Sequence, residues 1–420
     1  MRLLHTSDWH FGQHFMGKSR HAEHAALINW LLQTVGTAGV DAVIIAGDLF
    51  DTGTPPSYAR ELYHRLVLGL ADAGIDLLLL AGNHDSPAVL AESRALIARL
   101  GAAVIPVADR GPEAVRVLRR RDGQPGCVVS AIPFIRPRDV LASQAGQSAE
   151  EKLLSLQQAI AAHYATVDAA ARQKCAELEA GLGRRLPRIA TGHLTTVGAS
   201  RSESVREIYV GSLDAFPTSA FPSVDYIALG HIHRPQRVGG SEHIRYCGSP
   251  LALSFDEAGQ QKEMLLVDLD DTGLQAVTPL PVPCFQPLAS IRCPLATLPA
   301  ALATAVGEAD ARGRLTAAGS GHPPPALWLE ITLTGDEQLP DLPARVQAAC
   351  ADWPVEVLRI RRARNGQAHL AREALETLDE LSPDEVFARR LALEDDLSED
   401  DLAALTVRHR HVLAELTEAA

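Results

Sequence analysis

Two continuous apolar runs near the N-terminus constrain the fold more than any other feature of the sequence. The runs "DAVIIAG" (41–47) and "IDLLLLAG" (75–82) lack polar alternation, which is typical of strands buried on both faces. Segments with helical spacing lie around them at 22–35, 57–74 and 87–101. Together with a first apolar run at 2–7, the order β-α-β-α-β-α predicts an α/β fold with a largely parallel sheet covered by helices.

The alternation loosens in the rest of the chain. We predict a hairpin at 116–134, a long polar surface helix at 148–181, and strands at 188–194, 225–233, 243–250 and 263–270. The Pro-rich segment 276–288 predicts a domain boundary. A β-α-β-α-β set over 286–361 then predicts a small α+β domain. "SPDE" (382–385) and "SEDD" (398–401) are helix-start signals that predict a helical tail.

Composition narrows the class of protein. With 420 residues, 46% of them hydrophobic, the chain is globular and long enough for two or three domains. None of its six cysteines has C-x-x-C spacing, so neither a zinc finger nor a disulfide framework is indicated. No apolar run reaches the ~18 residues of a membrane span, and the N-terminus lacks a signal-peptide core. We therefore expect a cytoplasmic protein.

The net charge of −13 argues mildly against a protein that coats nucleic acid without specificity. The charge is uneven, because residues 381–420 carry ten acidic side chains against four arginines. The body of the chain is therefore closer to neutral, which is compatible with a nucleic-acid substrate.

Polar side chains of metal-ligand type follow five apolar runs. They are Asp8 and His10; Asp48 and Asp51; Asn83, His84 and Asp85; His193; and His231 and His233. In open α/β sheets ligands bind outside the carboxyl ends of the strands, so we expect these side chains at one edge. A glycine before four of the five sets permits a tight turn and close backbone approach.

The mixture of imidazole, carboxylate and amide without thiolate suits Mn²⁺, Fe²⁺ or Zn²⁺ in a site that is not a structural zinc site. There are too many ligands for one ion. Seven of them fit two ions about 3.5–4 Å apart that share a carboxylate, an arrangement suited to phosphoryl displacement.

The motifs D-x-H, G-D-x-x-D, G-N-H-D, G-H and G-H-x-H, in this order, resemble the calcineurin-like metallophosphoesterase superfamily. Six longer segments are similar to bacterial nuclease subunits of that superfamily: "HTSDWHFGQ", "AGDLFDTGTPPSYARELY", "LAGNHDS", "TGHLTTVGAS", "YIALGHIHR" and "YCGSPLALSFDE". The resemblance covers almost the whole chain. It implies a sandwich of two β-sheets flanked by helices (1–278), a small α+β capping domain for DNA recognition (285–366), and a helix-loop-helix that binds an ATPase partner (380–420).

The resemblance also implies metal ligands. The first metal would be held by Asp8, His10, Asp48 and His233. The second would be held by Asp48, Asn83, His193 and His231. Asp48 would bridge the two ions.

Three further residues receive catalytic roles from the resemblance. His84 would protonate the leaving oxygen or stabilise charge on the phosphate; a role as a fifth imidazole ligand is the alternative. Asp85 would orient His84 through a hydrogen bond. Asp51 stands where related eukaryotic and archaeal recombination nucleases tend to have histidine. Its role, either support of a ligand or contact with substrate, stays open.

The implied activity is that of a Mn²⁺-dependent DNA nuclease in recombination, replication and repair. It would be a 3′→5′ exonuclease on double strands and an endonuclease at hairpins and single strands, dimeric within an ATP-driven complex. The sequence has no P-loop, so ATP hydrolysis would come from a partner with a coiled-coil base. A small-molecule phosphoesterase would not need residues 286–420, and a scaffold without activity would not need all seven ligands and His84.

Several basic and apolar groups admit two interpretations. Arg119–Arg121, Arg136 and Arg138 would either touch phosphates or belong to solvated loops. "RIRRAR" (359–364) would either line a DNA path or end an edge strand with charge. The tail carries apolar stripes that would pack on the body or dock on the partner's coiled coil: Phe387, Leu391, Leu402, Leu405, Val412, Leu413 and Leu416. Trp9 is predicted to be a core residue.

Overall fold

A computed structural model describes residues 1–109, 111, 114–141, 148–200, 202, 204–205, 215–312, 325–334, 341–363, 387, 405 and 408–409. Two compact units result, one of 1–334 with 339–362 and the other of 335–338 with 363–420. In the second unit the rings of Phe387 and His409 stack with centroids 3.9 Å apart. The predicted tail helices otherwise lie outside the described residues.

The first half of the chain alternates strands and helices. Its elements are β1 (Arg2–Thr6), β2 (His14–Phe15), β3 (Lys18–Ser19), α1 (His21–Thr37), β4 (Ala42–Ala46), α2 (Ser57–Asp72), β5 (Asp76–Leu80), α3 (Pro87–Glu92), α4 (Arg94–Ala98), β6 (Ala102–Ile105), β7 (Val115–Arg119), β8 (Pro125–Ser130), α5 (Pro137–Val140) and α6 (Ala149–Leu182).

The second half is richer in strands. Its elements are β9 (Arg188–His193), β10 (Tyr226–Gly230), β11 (Gln236–Arg237), β12 (Ile244–Tyr246), β13 (Glu263–Asp270), β14 (Gly273–Pro281), β15 (Leu288–Cys293), α7 (Leu298–Ala311), β16 (Leu327–Leu333), α8 (Leu342–Cys350) and β17 (Val355–Arg362). Short 3₁₀ helices lie at Thr218–Ala220, Phe255–Glu257 and Leu295–Thr297.

Two six-stranded sheets form the body. The first has the order β14-β13-β1-β4-β5-β6 and is parallel from β1 to β6. The second has the order β11-β12-β10-β9-β8-β7 and is parallel from β12 to β8. Ile44 and Leu78 of the first sheet share a buried cluster with Ile189 and Ala228 of the second. The sheets therefore pack face to face, and the carboxyl ends of their parallel strands carry the predicted ligands.

The apolar runs behave as their composition predicts. All five residues of β4 are buried, and so are four of the five in β5. One face of this sheet meets the second sheet, while the other packs on α1 and α2 through side chains such as Leu31 and Leu66. Trp9 is fully buried, as predicted, and its indole N–H donates to the Thr6 hydroxyl at 2.9 Å.

A third sheet follows the body. Its order is β15-β16-β17, all parallel, and α7 and α8 connect the strands and pack against them around Leu302 and Val346. This sheet contacts the β2–β3 hairpin through the stacked rings of Phe15 and Trp328, whose centroids are 5.8 Å apart. The domain limits predicted at 278, 285 and 366 stay predictions.

The boundary predicted at 276–288 stays a prediction, but the first part of this segment belongs to a strand. Thr278 to Pro281 pair with β13 as part of β14, despite Pro279 and Pro281. The reason is positional: β14 is an edge strand, where a proline that lacks an N–H does not interrupt the ladder.

Two further details differ from the sequence prediction. The expected helix 87–101 is divided at Ser93 into α3 and α4. It is followed by the short strand β6, which the sequence did not reveal. All six cysteines are free. Among the described residues, no helix has the length and apolarity that a membrane crossing requires.

Candidate metal centre

The structure brings the polar residues that follow five strands to one edge of the two sheets. Ligand atoms of Asp8, His10 and His233 lie within 4.8 Å of one another, and we call these residues the first group. Ligand atoms of Asp48, His193 and His231 meet the same limit and form the second group. The family resemblance assigns these residues to two metals, and all six are buried.

Asp48 lies between the two groups. Its Oδ2 is 3.1 Å from Nε2 of His193 and 3.8 Å from Nε2 of His10. Its Oδ1 accepts a hydrogen bond from the backbone N–H of His84 at 2.8 Å. One carboxylate oxygen therefore faces imidazole nitrogens of both groups, which is the geometry expected of a shared ligand.

Asn83 completes the second group. Its side-chain Oδ1 is 3.0 Å from Nε2 of His193 and 3.1 Å from Nδ1 of His231. An amide oxygen, a carboxylate oxygen and two imidazole nitrogens thus converge, a mixture that suits a borderline or hard divalent ion.

Hydrogen bonds fix the tautomers of two histidines. Nδ1–H of His193 donates to the carbonyl oxygen of Ala46 at 2.8 Å, so Nε2, which faces Asp48, is the atom that would bind a metal once it has lost its proton. Nδ1–H of His10 donates to the Asp51 carboxylate at 3.1 Å. Nε2 of His10 is buried and has no hydrogen-bond partner. A buried lone pair aimed at carboxylates fits a metal ligand, because such an atom is otherwise costly to bury.

The ligands sit on unusual backbone. Among the described residues, six that are not glycine have positive φ, and four of these are predicted ligands: Asp8 (56°), His10 (50°), Asp48 (51°) and His231 (91°). Left-handed backbone at such residues costs of order 1–3 kcal/mol each and clusters at functional sites. The strand ends therefore turn sharply to present these side chains.

The glycines before the ligands permit close approach, as predicted. A Cβ on Gly47 would lie 2.1 Å from Nδ1 of His193. One on Gly82 would lie 2.1 Å from Oδ1 of Asp48, and one on Gly230 would lie 2.0 Å from the carbonyl oxygen of Ala46. A larger residue at any of the three would displace a ligand or the strand beneath it.

Charges in the site are strongly coupled. Burial would raise the pKa of Asp48, but the charge and hydrogen bond of His193 hold it well below its usual value. Burial would lower the pKa of His193, but the Asp48 carboxylate raises it to about 9. Burial and then the charge of Asp48 raise the pKa of Asp85 to about 6. The metal-free site thus holds a proton that a bound cation would replace.

The contact predicted between Asp85 and His84 is not the one that the structure has. The Asp85 carboxylate accepts from the backbone N–H groups of Leu49, Phe50 and Gly82 at 2.9–3.1 Å. Nδ1–H of His84 instead donates to the carbonyl oxygen of Asp51 at 2.8 Å. Asp85 is short and follows His84 directly, so its carboxylate reaches the turn after β4 and ties the two ligand-bearing turns together.

Asp51 holds two imidazoles. Its carboxylate accepts from His10 and its backbone carbonyl accepts from His84, whose ring lies 4.8 Å from that of His10. These contacts favour support of the histidines over contact with substrate. His84 itself is beside the first group, at a position compatible with either of its predicted roles.

The arginines considered for phosphate contact differ in position. Arg119 and Arg121 donate backbone N–H groups to Asp76 and Asp41, at the amino ends of β5 and β4 and so opposite the metal edge. Arg136 is buried and donates to the carbonyl oxygen of Asp85 at 3.2 Å. Arg359 and Arg361 form ion pairs with Glu330, which favours the edge-strand interpretation for both.

Sequence reasoning missed the residues that hold the ligands in place. The Ser7 hydroxyl donates to Asp8 at 2.6 Å, and Glu257 and Lys262 lie buried behind His233. The segment that contains Glu257 is conspicuous in the sequence, but nothing in its spacing links it to a histidine 24 positions earlier.

The chain is similar to two protein families and to several known proteins. The calcineurin-like phosphoesterase family matches residues 1–235, and a family described as type 5 capsule protein repressor C-terminal domain matches residues 284–395. The chain is 49% identical to the SbcD subunit of nuclease SbcCD from Escherichia coli K12, over 100% of both chains. It is 33% identical to the SbcD subunit from Rhodobacter capsulatus, over 92% of this chain and 94% of that one. The crystal structure of TT1561 of Thermus thermophilus is 13% identical, covers 66% of this chain and 98% of its own, and aligns with a TM-score of 0.34.

Proposed function

Because this chain belongs to the calcineurin-like phosphoesterase family, together with the SbcD subunits of SbcCD nucleases, we propose that it hydrolyses DNA phosphodiester bonds with two divalent metal ions. Family membership makes the chain a phosphodiester hydrolase. The DNA substrate and the two-ion mechanism are what we propose. The observation that carries it is the Asp48 carboxylate, whose Oδ2 faces His10 of the first group and His193 of the second.

The residues present fit two ions. Asp8, His10, Asp48 and His233 would hold one, and Asp48, Asn83, His193 and His231 would hold the other. Two such ions would supply activation of a water molecule and neutralisation of charge on the oxygens of a phosphodiester. Manganese is the ion that we propose, since carboxylate and imidazole ligands without thiolate suit it.

His84 is the proposed catalytic group. Its Nδ1–H is committed to the Asp51 carbonyl, so Nε2 is the atom that would give a proton to the leaving oxygen or stabilise charge on the phosphate. Asp51 is a positioning residue in this account, because it acts through His10 and His84. Asp85 holds the turn that carries His84.

The proposed cellular role is the one that the resemblance to bacterial nuclease subunits implies. We propose 3′→5′ exonuclease activity on double strands and endonuclease activity at hairpins and single strands, in DNA recombination, replication and repair. The proposed partner is the SbcC ATPase, bound through residues 380–420 to the base of its coiled coil, in a heterotetramer with a homodimer of this chain. The capping domain at 285–366 is proposed to contact DNA. A cytoplasmic location stays a prediction.

The test is a nuclease assay on a linear duplex closed by a hairpin at one end. The purified chain is incubated with Mn²⁺, Mg²⁺ or chelator, with and without the ATPase partner and ATP, and the fragments are sized. We expect Mn²⁺-dependent hairpin opening, with duplex degradation that requires the partner and ATP. His84→Ala should lower the rate by about 10²–10⁴-fold.

The matched control is His64→Ala, which removes an exposed imidazole on α2. It should leave the rate unchanged. Hydrolysis of bis(4-nitrophenyl) phosphate without any cleavage of DNA would favour the small-molecule phosphoesterase instead. A chain that binds two ions and cuts neither substrate would favour the scaffold. Loss of one bound ion in His84→Ala would make His84 a ligand.

A further inference from the structure

His233 is held from behind by a buried network that the proposed mechanism does not use. Glu257 is fully buried at the end of the 3₁₀ helix Phe255–Glu257, and Lys262 is 7% exposed just before β13. Nζ of Lys262 donates to Glu257 Oε2 at 2.6 Å, to Ser249 Oγ at 3.0 Å and to the His233 carbonyl oxygen at 3.1 Å. All three ammonium protons are therefore used, and one of them fixes the backbone of a predicted ligand.

The side chain of His233 meets the same network through a hydroxyl. Ser204 Oγ lies in hydrogen-bond contact both with Nδ1 of His233 and with Oε1 of Glu257. The carboxylate has no proton to give, so Ser204 donates its single proton to Glu257. The hydroxyl must then accept from Nδ1–H of His233. The order of donors is Nδ1–H to Oγ, and Oγ–H to carboxylate.

This order sets the tautomer of His233. With the proton on Nδ1, Nε2 carries a lone pair, and Nε2 is the atom 3.8 Å from Oδ1 of Asp8. The geometry points to Glu257 as a positioning residue that, through Ser204, holds His233 in the tautomer that binds a divalent cation at the first group. The inference rests on the proposed two-ion function.

A neutral side chain of the same shape should reverse the order of donors. Oε2 of Glu257 also accepts the backbone N–H of Leu253 at 3.0 Å and the Lys262 ammonium, so in Glu257→Gln the amide oxygen takes that position. The amide NH₂ then faces the hydroxyls of Ser204 and Ser202, which accept from it, and the proton of Ser204 is free to turn to Nδ1. His233 would carry its proton on Nε2, where a cation has to bind.

The test is calorimetric titration of Mn²⁺ into metal-free full-length chain, with melting temperature as the check on folding. Glu257→Gln and Ser204→Ala should each weaken one of the two Mn²⁺ sites by about 10- to 100-fold and leave the other unchanged. Ser204→Thr keeps the hydroxyl and should retain wild-type affinity. Ser254→Ala is the matched control, because Ser254 donates to the same Oε1 at 3.4 Å but the structure gives it no contact with Ser204 or His233.

Wild-type affinities at both sites in Glu257→Gln would overturn the inference. An equal loss in Ser254→Ala and Ser204→Ala would also overturn it, since the network would then act only as packing. A wild-type chain that binds fewer than two ions would overturn the two-ion proposal. A wild-type chain that binds two ions, with the same affinities in Glu257→Gln, would overturn only the inference about Glu257.

Discussion

Asp48 is the side chain on which the chemistry of the site depends most. It is buried, it stands on left-handed backbone, and its Oδ2 lies near imidazoles of both groups. In the metal-free chain its charge is balanced by protonated imidazole, chiefly His193. A metal ion that enters must therefore displace that proton, and metal binding becomes linked to pH.

We predict that Mn²⁺ affinity rises with pH between 7 and 9. The pKa of His193 is raised to about 9, so the imidazole holds a proton below that pH and loses it as pH rises through it. Each unit of pH below the pKa should weaken binding up to about tenfold through this group. Calorimetry in two buffers of different ionisation enthalpy measures the affinity and the proton released. Affinity that is flat from pH 7 to 9, without proton release, would contradict the assignment.

The ligand-bearing turns owe their geometry to the glycines that precede them. Gly230 is the last residue of β10 and lies close to β4. A Cβ at this position would collide with the carbonyl oxygen of Ala46. That carbonyl also accepts the hydrogen bond that fixes His193. The spacing of the two sheets and the orientation of His193 therefore both depend on the absence of a Cβ at Gly230.

Gly230→Ala should destabilise the chain by about 1–3 kcal/mol, the usual cost of overpacking, and weaken Mn²⁺ binding. The measurements are denaturant unfolding and Mn²⁺ titration. Gly36→Ala is the control, since a Cβ at that position in α1 meets nothing within 4 Å, and alanine there should be neutral or stabilise by up to about 1 kcal/mol. Equal stability of the two variants would mean that the sheets can separate without cost.

The features predicted correctly from the sequence are those in which a residue pattern is compatible with only one kind of local structure. Continuous apolarity predicts β4 and β5, and glycine before aspartate or histidine predicts the close approach at the strand ends. The partner of His84 could not be predicted, because it is a backbone carbonyl and every residue carries one. β14 was missed because its prolines are excluded from central strands but tolerated at an edge.

The third sheet packs against the β2–β3 hairpin and the 3₁₀ helix Phe255–Glu257, and that helix carries the carboxylate behind His233 of the first group. Phe15 of β2 stacks on Trp328 of β16, and the ring of Phe255 lies 5.0 Å from that of Phe15. Phe255 begins the 3₁₀ helix that ends at Glu257, whose carboxylate supports His233. A DNA contact made by the third sheet would therefore reach His233 of the first group through few residues.

The proposed function requires that one edge of the two sheets holds two metal ions that share Asp48. Anomalous scattering from crystals of the full chain grown with Mn²⁺ would locate these ions. We expect two peaks about 3.5–4 Å apart, one beside Asp8 and His10, the other beside Asn83 and His193, with Asp48 between them. A single peak, or two peaks without Asp48 between them, would contradict it.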